Sequence, residues 1–283
     1  MMKTTTSLGL LVVAVAFSSA PSATGFQLTK TKGWNTFPEL SVARSDCRSP
    51  KASFLVRSQT PTSLRSSIQT NDEVKDPSTL ISAQDDQTQQ TSFILISSGI
   101  LAGSIVFLNL YNFLEVVLPP AIFDPFYTVL PYVLSFAFIS AGIAHFAVED
   151  TFTSFVPPKG SWGGLWQVPS PGSEELGLTY EQYHSFWSGI AEVLVGSWLI
   201  LATATTNGLL TGELSDMVGN AAIPAALMWM LTAAVTPANI YMYTHNPVVP
   251  RIPALPYPWG HGARGLLQCA LLGVFCKLTI HSI

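Results

Sequence analysis

Apolar residues fall into five long stretches in the C-terminal two-thirds of the chain, at 92–118, 127–148, 186–206, 217–243 and 263–281. Each approaches or exceeds the roughly 20 residues that a helix needs to cross the hydrocarbon of a bilayer. The pattern predicts an all-α, polytopic membrane helical bundle. Pro119 and Pro120, with the short stretch to Pro125, turn the chain after the first span. A polar loop, 149–185, follows the second span, and a Pro-rich loop, 246–258, follows the fourth. Pro224 and Pro237 interrupt the hydrogen-bond ladder of the fourth span, and Pro237 frees the carbonyl of Ala233 one turn earlier. In the first span Gly99 and Gly103 form a small-xxx-small pair that permits close helix contact.

The polar exceptions within these stretches carry the functional signal. Helices that run back and forth bring His145, Glu192, Asn239, and the pair Arg264 and Gln268 to one common membrane face. Ionisable groups at membrane depth are expensive and face a bundle interior, so they are candidate functional residues by default. The N-terminal tail and the loops 149–185 and 244–262 share this face; the turn 119–126, the loop 207–216 and the C-terminus share the other. Lys159, Arg251 and Arg264 lie on the tail side and Lys277 near the opposite one, a bias that puts the tail on the cis side, the stroma in a plastid.

Composition agrees with the class: 11% charged residues, 48% hydrophobic residues and a mean hydropathy of +0.37. Nine of the 13 Lys and Arg precede residue 80, so the net charge of −4 describes no single surface. There is no basic aromatic stripe for nucleic acid, no glycine-rich phosphate loop and no heme-attachment motif. Cys269 and Cys276 share a face of the last span without a C-x-x-C dithiol, which argues against a self-contained thiol-redox enzyme.

The N-terminal segment reads as an address. Residues 1–25 resemble a signal peptide, with Lys3, an apolar run from Leu8 to Phe17 and small residues to Ala23. Residues 26–70 are hydroxyl-rich and basic, with Lys30, Lys32, Arg44, Arg48, Lys51, Arg57 and Arg65 against Glu39 and Asp46, a transit-peptide composition. The succession resembles the bipartite presequence of algae with complex plastids, with Phe26 near the signal cleavage site. It predicts a plastid membrane, thylakoid or inner envelope. Residues 71–91, with Asp72, Glu73, Asp76, Asp85 and Asp86, read as a disordered acidic tail.

Spacing groups the candidate side chains. Ser188 and Glu192, Asn239 and Tyr243, Arg264 and Gln268, and His145 and Glu149 are each four apart and share a helix face. A lone Glu192 inside its helix calls for a partner, and the Arg264 fork is the expected one. Asn239 and Gln268 both donate and accept, so they can complete the network. Trp187 stands beside the cluster, where it can flank a ligand or anchor at the interface. The interfacial position suits the aromatics of Trp162-Gly163-Gly164-Leu165-Trp166. His184, His245 and His261 lie at loop edges and are expected to see water. A metal site built from His145, Glu192 and a loop histidine has no H-x-x-E-H spacing to support it.

Four sequence blocks carry a resemblance. Ala141-Gly142-Ile143-Ala144-His145-Phe146, Trp187-Ser188-Gly189-Ile190-Ala191-Glu192, Pro237-Ala238-Asn239-Ile240-Tyr241-Met242, and Arg264 with Gln268 resemble successive blocks of the DoxX-like family of small four-helix membrane proteins. The resemblance covers about residues 127–281, leaves 92–118 as one extra N-terminal transmembrane helix, and through the Trp162–Trp166 loop looks like the plastid and cyanobacterial branch. It implies a four-helix core. Some relatives are linked to oxidation of sulfur compounds with quinone as acceptor, and a related group helps mature a periplasmic amine dehydrogenase.

Two functions are compatible with these residues. One is a redox-associated membrane subunit whose cluster (His145, Trp187, Glu192, Asn239, Arg264 and Gln268) holds a quinone head group or small substrate. The other is a non-enzymatic assembly or stabilising factor for a plastid membrane protein complex. There the cluster joins helices, as polar side chains in bundles do, and the 149–185 loop meets the partner. In either case the lipid membrane is the surroundings.

Overall fold

The computed structural model describes residues 79–251, 253 and 255–282, all within one compact unit. The predicted signal and transit segments, and residues 71–78 of the acidic tail, lie outside the described residues. Five helical segments are long and apolar enough to cross a membrane: Asp86–Val117, Pro120–Ala147, Tyr180–Thr206, Glu213–His245 and Trp259–His281.

The first helix, α1 (Asp86–Val117), begins at Asp86 instead of residue 92, so the expected disorder does not extend through residue 91. Asp85 caps it, accepting from the Thr88 N–H at 3.0 Å and the Thr88 hydroxyl at 2.7 Å. Those bonds hold the Asp85 carboxyl below its usual pKa. A 3-10 turn, Ile81–Ala83, precedes the cap. Farther on, the Gln90 amide donates to the Gly163 carbonyl at 2.9 Å. Tertiary bonding of this kind holds a polar first turn that apolar periodicity misses.

Two single turns, Pro120–Phe123 and Pro125–Thr128, each open on a proline, whose missing N–H costs nothing at a helix start. They lead into α2 (Leu130–Ala147). The third helix, α3 (Tyr180–Thr206), starts at Tyr180, before the expected residue 186, because Thr179 and Gln182 form a reciprocal capping box. The fourth span is divided at Val235 into α4 (Ala222–Ala234) and α5 (Thr236–His245). Pro237, in the first turn of α5, cannot supply the N–H that would continue α4. The last helix is α6 (Trp259–His281).

Helix α2 packs along α3, α3 along α4, α4 along α6, and α6 along α1. Phe138 of α2 also meets Phe275 of α6 edge-on at 5.5 Å. Leu199, Ala225, Met228, Leu231, Phe275 and Leu278 form the core between α3, α4 and α6. Helix α1 lies outside, against α6, and turns Leu95, Val106, Phe113 and Val116 outward, as a lipid-facing helix does. The α1–α6 approach uses Gly103 and Gly273, not Gly99. A Cβ on Gly103 would lie 2.6 Å from Cys269 Sγ and one on Gly273 would lie 2.9 Å from Phe107 Cβ, whereas one on Gly99 meets nothing within 4 Å.

Loop ends gather as expected from alternate crossing. At one end Thr151 Oγ1 donates to the Pro250 carbonyl (2.8 Å) and Arg251 pairs with Asp150 (3.1 Å). At the other, Asn207 donates to the Thr128 carbonyl and Asn220 to that of Ser282. Trp162 departs from its expected interfacial place. It is fully buried, its indole donates to Thr244 Oγ1 at 3.0 Å, and its ring meets Phe93 at 4.4 Å. The 149–185 loop is therefore plugged into the bundle between α1 and α5, with Trp162 itself at φ 54° beside two glycines of positive φ.

Candidate functional site

At Gly142 and Gly189 helices α2 and α3 meet with their backbones in close contact. A Cβ on Gly142 would lie 2.6 Å from the Gly189 carbonyl oxygen, and one on Gly189 would lie 2.7 Å from His145 Cβ. This contact brings His145, on the last turn of α2, against Ser185 and Glu192 of α3. His145 Nδ1 and Ser185 Oγ are 3.0 Å apart, and Phe152 tilts over the imidazole at 4.0 Å. The other ring nitrogen, Nε2, stands 3.6 Å from Glu192 Oε2, within ion-pair range but longer than a hydrogen bond. Among the described residues Glu192 Oε2 has no hydrogen-bond partner, although Glu192 is buried.

The expected Glu192–Arg264 clamp is absent among the described residues. Arg264 Nη2 instead donates to Asn239 Oδ1 at 2.7 Å, and its guanidinium lies over the Phe155 ring at 5.5 Å. Asn239 Nδ2 donates onward to Gln268 Oε1 at 2.9 Å. Gln268 Nε2 in turn donates to the Thr232 carbonyl at 2.7 Å and to Thr236 Oγ1 at 2.8 Å. Thus the carbonyl that the α4–α5 break offers to the network is that of Thr232, not Ala233. Arg264 is satisfied locally by an amide one helix away, and Glu192 faces its own histidine.

Both halves of the cluster line one cavity of about 420 Å³. His145, Trp187, Glu192, Asn239 and Arg264 line it, and Gln268 stands behind Asn239, outside the lining. Apolar groups complete it, among them Phe152, Phe155, Trp166 and Val168 from the short helix Glu149–Thr153 and the following loop. An apolar chamber of this size with a few convergent polar groups is the usual form of a small-molecule site. Trp187 is also partly exposed and donates from its indole to His184 Nδ1 at 3.1 Å.

Ser185 and Phe152 were not among the expected site residues. Apolar periodicity starts the third span near residue 186, which leaves Ser185 in the preceding loop. A helix begun at Thr179 would have shown Ser185, Ser188 and Glu192 on one polar face. Phe152 carried no signal, since it acts through tertiary position alone. The histidines expected to see water divide. His261 is buried and His184 Nε2 is a buried atom without a hydrogen-bond partner among the described residues, whereas His245 Nδ1 is 2.8 Å from Thr244 Oγ1. His145 and Glu149 do not act together: Glu149 accepts from Gln182 Nε2 at 2.6 Å.

Chemically, Ser185 and His145 share a hydrogen bond, Glu192 sets a carboxyl group 3.6 Å from the other imidazole nitrogen, and Arg264 with Asn239 adds N–H donors to the same cavity lining. Among the described residues no group of three or more His, Cys, Asp and Glu is placed to hold a metal ion. Compared with known proteins, the chain matches no family model, no curated protein and no solved structure.

Proposed function

We propose that this is an integral protein of a plastid membrane, related to the DoxX-like four-helix proteins through α2–α6 and extended by α1, and that its inter-helix cavity holds a quinone head group or a similarly small polar substrate in a redox-associated role. The observation that carries the ligand site is Glu192 Oε2. A buried carboxyl oxygen without a hydrogen-bond partner among the described residues, on a residue that lines a 420 Å³ chamber, is costly in an internal joint and useful in a binding site. A quinone head group presents two carbonyl acceptors across an apolar ring, and the chamber lining offers both His145 and Arg264 together with aromatic rings. The four blocks that resemble the family all contribute to this one region, which supports the family reading. The signal-like and transit-like leader supports the plastid.

One observation favours the second function, an assembly factor without a substrate. Arg264, Asn239, Gln268 and Thr232 bond to one another in series, which is how polar residues join helices. In that case Leu165 and Leu176, exposed on the loop, belong to the partner surface.

The test is purification of the full chain in mild detergent with mass spectrometry of co-purifying quinones, lipids, pigments and proteins. A quinone present with the wild type and lost from folded Glu192→Gln and His145→Ala proteins supports the pocket. An unchanged small-molecule complement in all three rejects it, and a co-purifying protein lost on Leu176→Asp supports the assembly reading. A fluorescent fusion that keeps residues 1–70 and fails to reach the plastid rejects the location.

A further inference from the structure

A second cavity, of about 300 Å³, lies between the Pro-rich loop and the start of α6, and Arg264 and Phe155 form the wall it shares with the first. Among the described residues its lining contains no carboxylate. The polar groups are His261, Arg264 and the Asn246 amide, and Met242, Val248, Val249 and Leu255 supply apolar walls. His261 is 6% exposed, and neither ring nitrogen has a hydrogen-bond partner among the described residues. Its ring is held by Tyr257, at 5.6 Å, and Tyr243, at 6.1 Å, contacts that fix its position and leave its nitrogens free. Buried polar atoms without partners are rare in native folds, and a bound ion is one of the standard explanations.

The helix end adds to this. The first turn of α6, 23 residues long, has no acidic residue, and its cap, Pro258, makes no side-chain hydrogen bond. The Gly260 N–H donates to the Pro256 carbonyl at 2.7 Å, and no negative charge from the first turn or the cap offsets the positive end of the helix where His261 and Arg264 stand. Arg264 uses one nitrogen on Asn239, and a guanidinium has five N–H donors.

We infer that this second cavity is an oxyanion site for a phosphate group, held by His261 and Arg264 at the N-terminus of α6. The phosphate comes from a free ion or from an anionic lipid head group, since α6 begins at a membrane face. The two sites share Arg264, but His261 lines only the second cavity, so a change at His261 tests this site apart from the first.

The experiment uses the purified full chain in detergent, titrated with inorganic phosphate against chloride at matched ionic strength and followed by thermal unfolding. In parallel, the chain is placed in nanodiscs of phosphatidylcholine with or without phosphatidylglycerol. Saturable stabilisation by inorganic phosphate identifies a free anion; stabilisation by phosphatidylglycerol alone identifies the lipid head group. His261→Phe keeps the ring against Tyr257 and Tyr243 and removes the donor, and should weaken either effect about tenfold or more, the loss of one hydrogen bond to a charged group. Val248→Glu changes a residue 91% exposed at the mouth of the cavity and should weaken binding by repulsion without disturbing the fold. It decides the matter if His261→Phe does not fold. No stabilisation by either source, or stabilisation that Val248→Glu leaves unchanged, overturns the proposal. Quinone retention in the His261→Phe protein reports separately on the first cavity.

Discussion

The Gln268 side chain donates at 2.7 Å to the Thr232 carbonyl, which also accepts from Thr236 Oγ1 at 3.0 Å where α4 gives way to α5. Backbone acceptors at membrane depth need partners within the protein. A residue of α6 therefore shares in bonding the backbone of the fourth span, and the same amide accepts from Asn239. The break, the α4–α6 contact and the position of Asn239 in the cavity wall are one arrangement.

Gln268→Leu should consequently destabilise the protein by about 1–2 kcal/mol, the range for a buried polar group stripped of its partner and moderated by the membrane reference state. Thermal unfolding in detergent measures it. Leu267→Ile, at an exposed neighbouring position, is the control and should unfold within a degree or so of wild type. Equal stability of Gln268→Leu and wild type would mean that the Thr236 hydroxyl alone suffices for the Thr232 carbonyl.

Arg264 should be coupled to Asn239 and not to Glu192. In a double-mutant cycle, Arg264→Gln with Asn239→Ala should show an interaction of about 0.5–1.5 kcal/mol, the scale found for side-chain bonds in membrane bundles. Arg264→Gln with Glu192→Gln should be additive within about 0.5 kcal/mol. A strong Arg264–Glu192 interaction would require a guanidinium turned across the cavity from the position found here.

Gly189→Ala should disrupt the site more than the fold's periphery. The added methyl falls 2.7 Å from His145 Cβ and 2.9 Å from the Gly142 carbonyl, so α2 and α3 must separate. Overpacking of this kind costs about 1–3 kcal/mol. Co-purifying ligand should be lost even where folded protein is recovered at low temperature. Gly99→Ala on α1, which meets nothing within 4 Å, should change neither yield nor ligand.

On the opposite face, Lys277 of α6 is buried and bonds to Glu115 and to Asn112 Oδ1 (2.7 Å), both of α1, while Tyr127 donates to Glu115 at 2.7 Å. Lys277→Met should lower stability by about 1–3 kcal/mol and speed hydrogen exchange in the C-terminal half of α1, because it removes the charged partner of Glu115. Adding Glu115→Gln should recover much of the loss. Full stability in the Lys277→Met protein would show that the contacts of Gly103 and Gly273 suffice to hold α1.

Hydropathy and residue type by themselves determined much of this protein. Five runs of apolar residues could be satisfied only as helices in a bilayer, since a chain there must bond its own backbone. Back-and-forth crossing then put His145, Glu192, Asn239, Arg264 and Gln268 at one end. Periodicity could not place the helix starts, because the first turns of α1 and α3 are polar and depend on the Asp85 cap and the Thr179–Gln182 box. Partner choice was decided by the tertiary structure alone. Opposite charge predicted Glu192 with Arg264, but the Gly142–Gly189 contact carries Glu192 to His145, and the kink at Val235 presents Asn239 to Arg264. Trp162 moved from interface to core for the same kind of reason: Thr244, 82 residues away, offers an acceptor that no local pattern reveals. Charge and hydropathy are properties of single residues, whereas a hydrogen bond depends on where two helices touch, and small residues one turn from the polar ones set that contact.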